Sequence, residues 1–187
     1  MKKTALALAA ILALTAGTGF ASGRQGTLEI LYGRYTVNDA RFAAIYSKSG
    51  SIGGLALSAA LFFNLDFYLE TKVFAQSGQL SYTQASTKIV LIPFSFGIRY
   101  GAPLGIFEPF VGAGLDYYVY YEKNAIGTAL DYARGSHVLG GLRINFGKDV
   151  PLSLSARIKY TSIKATRGSI TVDLGGPELT AGLAFVF

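Results

Sequence analysis

Cysteine is absent from all 187 residues, which removes disulfides, thiol nucleophiles and thiolate metal sites together. It also closes the route by which a cysteine after an export signal is acylated. Tryptophan is missing too, and histidine occurs once, as His137. No motif calls for a cofactor or a metal. No window reaches the roughly 18 uninterrupted apolar residues of a transmembrane helix. Yet the chain is 51% hydrophobic, with 12 Tyr and 13 Phe. High hydrophobicity without a spanning helix points to spanning strands, which need about nine to eleven residues with alternate side chains turned to lipid. Acidic residues are also sparse, 11 against 17 Lys plus Arg, for a formal net charge of +6.

The N-terminus reads as a secretory signal: Lys2 and Lys3, the uncharged run from Ala5 to Leu14, then small residues ending Gly19-Phe20-Ala21. Its apolar run of about ten residues is too short to cross a bilayer. Cleavage is expected after Ala21, leaving 22–187 as one domain and lowering the formal charge by the two lysines. Export past the inner membrane removes nucleic acid as a partner for this basic chain.

Period-two alternation predicts eight strands whose faces agree from one to the next. The second, 52–63, sets Leu55, Leu57, Ala59, Leu61 and Phe63 against Gly54, Ala56, Ser58 and Ala60. The third, 66–76, sets Phe67, Leu69, Val73 and Ala75 against Tyr68, Glu70 and Lys72. In the fourth, 88–100, Phe94, Phe96, Ile98 and Tyr100 oppose Ser95, Gly97 and Arg99. The fifth, 109–122, turns Val111, Ala113, Leu115, Tyr117, Val119 and Tyr121 away from Gly112, Gly114, Asp116 and Tyr118. The sixth, 137–147, splits Val138, Leu142, Ile144 and Phe146 from Leu139, Gly141, Arg143 and Asn145. The seventh, 152–162, places Leu152, Leu154, Ala156, Ile158 and Tyr160 opposite Ser153, Ser155, Arg157, Lys159 and Thr161. The eighth is 178–187. For the first, about 27–36, either Leu28, Ile30 and Tyr32 or Leu31, Gly33 and Tyr35 could face lipid. The second choice is favoured because it turns Arg34 inward, and a charge on the lipid face costs on the order of 2 to 4 kcal/mol.

Short turns at 64–65, 101–107 and 148–151 alternate with longer connections near 37–51, 77–87, 123–135 and 164–176, as in membrane barrels. Phe63, Phe67, Tyr100, Phe146 and Phe187 fall at the short-turn end, and Tyr117, Tyr121 and Tyr160 toward the loop end, which makes two interfacial girdles. The chain stops on an aromatic in mid-strand. A soluble protein would leave that as an exposed edge, whereas a closed barrel pairs its last strand with its first. Thr180, Gly182, Phe185 and Phe187 form the pattern of a C-terminal assembly signal.

The stretches Ile92-Pro93-Phe94-Ser95-Phe96-Gly97-Ile98-Arg99-Tyr100 and Glu108-Pro109-Phe110-Val111-Gly112-Ala113-Gly114-Leu115, with terminal Gly182 to Phe187, carry a resemblance. The chain resembles the outer membrane protein β-barrel domain family, whose small eight-stranded members include OmpX, OmpA and OmpW type barrels. The resemblance covers the chain after the signal and implies an eight-stranded antiparallel up-and-down transmembrane barrel. It further implies an outer-membrane location and assembly by the barrel insertion machinery with periplasmic chaperones. The expectation is a monomer without a further periplasmic domain. A soluble lipocalin-like barrel fits less well, because the charged residues here share a face with glycine and serine.

Eight strands enclose a space that side chains just fill, so no wide pore is expected. The predicted lumen network sets Glu70 and Asp116 against Lys72, Arg99, Arg143, Arg157 and Lys159. That imbalance suggests water or an anion in the lumen, and an anion-favouring channel as one function. A lipid acyl hydrolase is another: Ser136 and His137 at the outer end of the sixth strand lie near Glu122 and Asp131. Neighbouring strand residues diverge, however, and Leu139 stands where the lipid A 3-O-deacylases place their serine. The bland reading makes His137 a solvated rim residue. Arg41, Lys48, Lys88, Lys123, Arg134, Lys164 and Arg167, near the outer loops, suggest contact with lipopolysaccharide phosphate. The favoured role is structural, surface-exposed or adhesin-like, with Tyr46, Tyr82, Tyr121 and Tyr132 offering contacts.

Overall fold

The computed structural model describes residues 25–80, 84–125, 127–146, 150–167 and 170–187; the expected signal segment and Tyr82 lie outside these. The elements are β1 (Gly26–Thr36), α1 (Ala40–Ile45), β2 (Ser49–Ala60), β3 (Leu65–Gln79), β4 (Ser86–Gly101), β5 (Phe107–Asn124), β6 (Gly127–Asn145), β7 (Leu152–Arg167), β8 (Ile170–Asp173) and β9 (Gly176–Val186). From β1 to β7 each strand pairs antiparallel with the next in sequence, β7 pairs with β9, and β9 returns to β1. Eight strands therefore close on themselves, and β8 is a short flap on the outer end of β7.

Closure satisfies the edge groups that an open sheet would expose, the condition for strands in hydrocarbon. The β9–β1 seam runs from Thr27↔Val186 to Tyr35↔Glu178, and Phe187 carbonyl accepts from Gly26 N–H at 2.8 Å. Outside, the wall is apolar: Ile30 is 61% exposed, Val111 62%, Val138 60% and Ile158 61%. Charge is inside, with Arg143, Lys72 and Lys159 all but fully buried. That polarity is the reverse of a soluble ligand-binding barrel.

The structure corrects the first strand. Leu31 and Tyr35 are buried in the lumen, while Leu28, Ile30 and Tyr32 face outward. The favoured register was chosen to bring Arg34 in, but Arg34 sits near the outer end, where its Nε donates to Ser49 Oγ at 2.7 Å and its charge need not enter hydrocarbon. The side chain that had to be inside was Glu29, at the opposite end, hydrogen-bonded by Ser155 Oγ.

The outer connections are also shorter than expected. The expected loop at 123–135 is strand: β5 and β6 stay paired up to Asn124↔Gly127. The loop at 164–176 is mostly the β7–β8 hairpin, and that at 37–51 contains α1. At the other end β2 stops at Ala60, so Leu61 and Phe63 belong to the turn, where Phe63 and Asn64 take φ of 50 and 63. Asn tolerates that region and, with Phe63 beside it, closes a tight reversal.

Helix α1 exists because Asp39 caps it, accepting from Arg41 N–H (2.8 Å) and Phe42 N–H (3.4 Å). Asp39 also accepts from Asp173 N–H at 2.9 Å, which ties α1 to β8. Partial burial opposes its ionisation, but the Arg41 side chain and these N–H donors outweigh it and hold the carboxyl at about 2. Phe42 drops from the helix into the barrel mouth, 4% exposed, with its ring 5.0 Å from that of Tyr46.

Candidate functional site

The lumen is built in three decks. Nearest the short turns, Arg99 meets Asp66 at 2.8 Å and Arg143 meets Glu108 at 3.0 Å. Both guanidiniums lie against the Phe110 ring, at 5.0 and 5.8 Å from its centroid. In the middle deck Glu70 receives Lys72 (2.8 Å), Lys159 (2.8 Å) and Arg157 (2.6 Å). Lys72 reaches on to Glu178 at 2.6 Å, and Lys159 to Asp116 at 2.9 Å. Period two explains the convergence: these residues stand on inward positions of β3, β5, β7 and β9, so one level of the barrel collects them.

His137 completes this deck, contrary to the rim position expected from sequence. Strand β6 begins ten residues earlier than the reading placed it, at Gly127, so His137 is mid-strand and 3% exposed. Its Nδ1 lies 2.9 Å from Asp116 Oδ2 and its Nε2 is hydrogen-bonded to Tyr68 hydroxyl. Gly114 makes this possible, since a Cβ there would stand 2.9 Å from His137 Cε1. Ser136 points to the outer face and is exposed. Glu122 accepts from Tyr46 hydroxyl at 3.0 Å, and Asp131 accepts from Tyr132 N–H at 2.8 Å. The serine, histidine and carboxylates considered for hydrolysis are not brought together.

The acid deficit expected of the lumen is absent. Glu29, Asp66, Glu108 and Glu178 are buried there as well as Glu70 and Asp116, against Lys72, Arg99, Arg143, Arg157 and Lys159. Sequence reading missed these four because they sit at strand ends, where the alternating pattern gives out, or on the misassigned first strand. All seven residues of the expected network are in the lumen and buried.

The upper deck was not anticipated. Tyr35, Val37, Phe42, Tyr46, Ile52, Phe74, Ile89, Leu91, Tyr118 and Ile163 form an apolar stopper under α1. Tyr35 and Phe74 meet edge to face at 5.3 Å. Burial and Glu122 push the Tyr46 hydroxyl up to about 12, against a hydrogen bond with Thr87 that lowers it, so it stays protonated and donates to Glu122. A signal for this deck existed: Ile89-Val90-Leu91-Ile92 is apolar on both faces, the mark of a strand buried on both sides.

Of the expected assembly-signal residues, Phe185 and Phe187 face lipid at 48% and 46% exposure. Thr180 is in the lumen, accepting from Arg157 Nε at 3.1 Å, and Gly182 leaves room for Glu29, whose Oε1 would be 2.2 Å from a Cβ. Among the described residues no cluster of His, Cys, Asp and Glu could hold a metal ion.

No protein-family model and no curated protein matches the chain. Solved structures do. Neisserial surface protein A superposes with a TM-score of 0.64 at 15% identity, covering 89% of this chain and 100% of that one. The outer membrane protein OprG of Pseudomonas aeruginosa gives 0.65 at 15%, covering 90% and 99%. This is the fold of the small outer-membrane barrels. A third example of that barrel, Ail, the attachment invasion locus protein of Yersinia pestis, in complex with the heparin analogue sucrose octasulfate, gives 0.55 at 12%, covering 88% and 100%. At such identities the likeness is one of fold, and no residue's role is carried across.

Proposed function

We propose that this is an integral outer-membrane barrel whose work is done at its outward-facing rim, as a structural or adhesin-like surface protein, and not by passage through its lumen. The observation that carries the reading is the double closure: a buried ion-pair deck below and an apolar stopper under α1 above. Opening a path would strip partners from charges in a low-dielectric interior, which costs several kcal/mol per ion. Extended β5 and β6, with α1 and β8, lift a platform beyond the apolar belt where a partner could be met. The barrel would reach the membrane after Sec export, through periplasmic chaperones and the barrel assembly machinery, and stand there as a monomer among lipopolysaccharide molecules.

The rival reading is a small-solute channel. Its anion preference rested on an acid deficit that six buried carboxylates against five buried cations remove. The acyl hydrolase considered from Ser136, His137, Glu122 and Asp131 loses its geometry, because Ser136 faces outward while His137 is buried against Asp116, whose carboxylate stands between it and Ser95. Planar-bilayer recording tests the choice: the reading expects no steady single-channel openings from the wild-type protein. Regular openings, with solute uptake by cells that express it, would replace this reading with the channel.

A further inference from the structure

On the eight barrel strands charge is sorted by face. Every acidic side chain, Glu29, Asp66, Glu70, Glu108, Asp116, Glu122, Asp131 and Glu178, stands on an inward position, while Arg34, Lys88, Lys123, Arg134 and Lys164 stand exposed on outward positions near the outer end. Two of these, Lys88 and Lys123, are direct cross-strand partners. Like charges set opposite each other destabilise a strand pair unless an anion lies between them.

The best-built part of this surface is at Arg134. Tyr117 and Tyr132 stack at 5.3 Å and 21°. The Arg134 guanidinium lies against both rings, 6.0 and 5.6 Å from their centroids. Among the described residues it makes no hydrogen bond or ion pair with another side chain. The Gly135↔Ile163 rung makes Lys164 its next outward neighbour on β7. Asp173, opposite Lys164 on β8, turns its Oδ1 to Gly175 N–H at 2.9 Å. Height agrees with this. The rungs from Phe107↔Ile144 to Tyr117↔Arg134 rise roughly 25 Å along a tilted strand, the height of a barrel's apolar band. Arg134 therefore stands where hydrocarbon gives way to headgroups.

We infer that Arg134, held flat by Tyr117 and Tyr132 and supported by Lys164, is a seat for a phosphate of a phosphorylated outer-leaflet lipid, of which lipid A is the bisphosphorylated case. A guanidinium immobilised on aromatic faces presents its planar fork ready for two phosphate oxygens, while the ammonium adds a point charge. Apolar wall directly below accepts the acyl chains, so one ligand satisfies both surfaces. This rests on the outer-membrane reading above.

Native mass spectrometry tests it, with the protein purified from the membrane fraction into detergent and mixed with bisphosphorylated lipid A or the same lipid stripped of phosphate. Wild type should retain the phosphorylated lipid at about tenfold lower concentration than the stripped one, the worth of a charge-assisted hydrogen bond. Arg134→Gln should lose that tenfold, and Tyr132→Leu, which keeps the charge but removes half the platform, several-fold. Thr128→Ala, an uncharged change at the exposed outer tip of β6, should change nothing, and millimolar inorganic phosphate should not displace the lipid. Wild-type retention by Arg134→Gln, equal retention of the stripped lipid, equal loss in Thr128→Ala, or displacement by free phosphate would each overturn the site. Heat-modifiable mobility and outer-membrane fractionation of every variant separate the two claims. Failure there sinks the outer-membrane reading, whereas normal insertion without phosphate-dependent lipid sinks only the seat.

Discussion

Glu70 is the residue on which the lumen converges, because it holds three cations of which two have a second carboxylate. Lys72 keeps Glu178 and Lys159 keeps Asp116, but Arg157 has no other ion pair among the described residues. Glu70→Ala should therefore cost about 3 to 5 kcal/mol, since it leaves a buried guanidinium without its carboxylate. Urea unfolding followed by heat-modifiable mobility reads this, and a loss under 1 kcal/mol would mean that water reaches the deck. Asp39 makes a prediction in pH. Its carboxyl sits at about 2 in the folded protein against an ordinary 3.8, so the cap contributes fully above about pH 4 and is lost as pH falls through 2. Protection of the Arg41, Phe42 and Asp173 amides, measured as exchange relative to the unstructured chain at the same pH, should be high at pH 5 and fall toward pH 2. Asp39→Ala should show the lowered protection at every pH.

At the scale of the element, β1 shows how far alternation can be trusted. Both of its faces are apolar, Leu28, Ile30 and Tyr32 against Leu31 and Tyr35, so the pattern allowed either register. What decided it lay across the lumen, beyond its own partner strands: Glu29 accepts from Ser155 on β7, and Tyr35 hydroxyl donates to the Leu174 carbonyl between β8 and β9. Because the chain has no cysteine, Ile30→Cys and Leu31→Cys give clean probes. A membrane-soluble maleimide should label the first rapidly and the second hardly at all, and the reverse would restore the register chosen from sequence. Helix α1 is six residues long and owes its place to Phe42 in the apolar stopper. Phe42→Ala should cost about 3 kcal/mol of local stability. Amide exchange should then speed up across α1 and β8 while the lower barrel is unchanged.

For the whole molecule, closure is the decisive fact, and it depends on the β9–β1 seam. Deleting Phe187 removes the Gly26 pairing and one lipid-facing ring. The expected outcome is slower assembly of a barrel that, once folded, melts nearly as before, measured by pulse-chase of the heat-modifiable form. Unchanged kinetics would reduce the terminal pattern to ordinary strand packing. Double closure makes a second forecast: Glu70→Ala combined with Phe42→Ala should raise bilayer conductance above that of either single change, because the two plugs lie in series along one lumen.

Alternation of apolar and polar residues, an apolar share without a spanning helix, and the spacing of turns were enough to establish a barrel of eight antiparallel strands and the seven residues of its charged core. These are local properties: a period-two pattern needs only its own strand to be read. Tertiary structure alone decided the facing of β1, the four further lumen acids, the burial of His137 against Asp116 and Tyr68, and the apolar stopper capped by α1. Each depends on which side chain meets which across a closed wall. A strand that is apolar on both faces, or a charge at its very end, carries no sign of its partner until the barrel is shut.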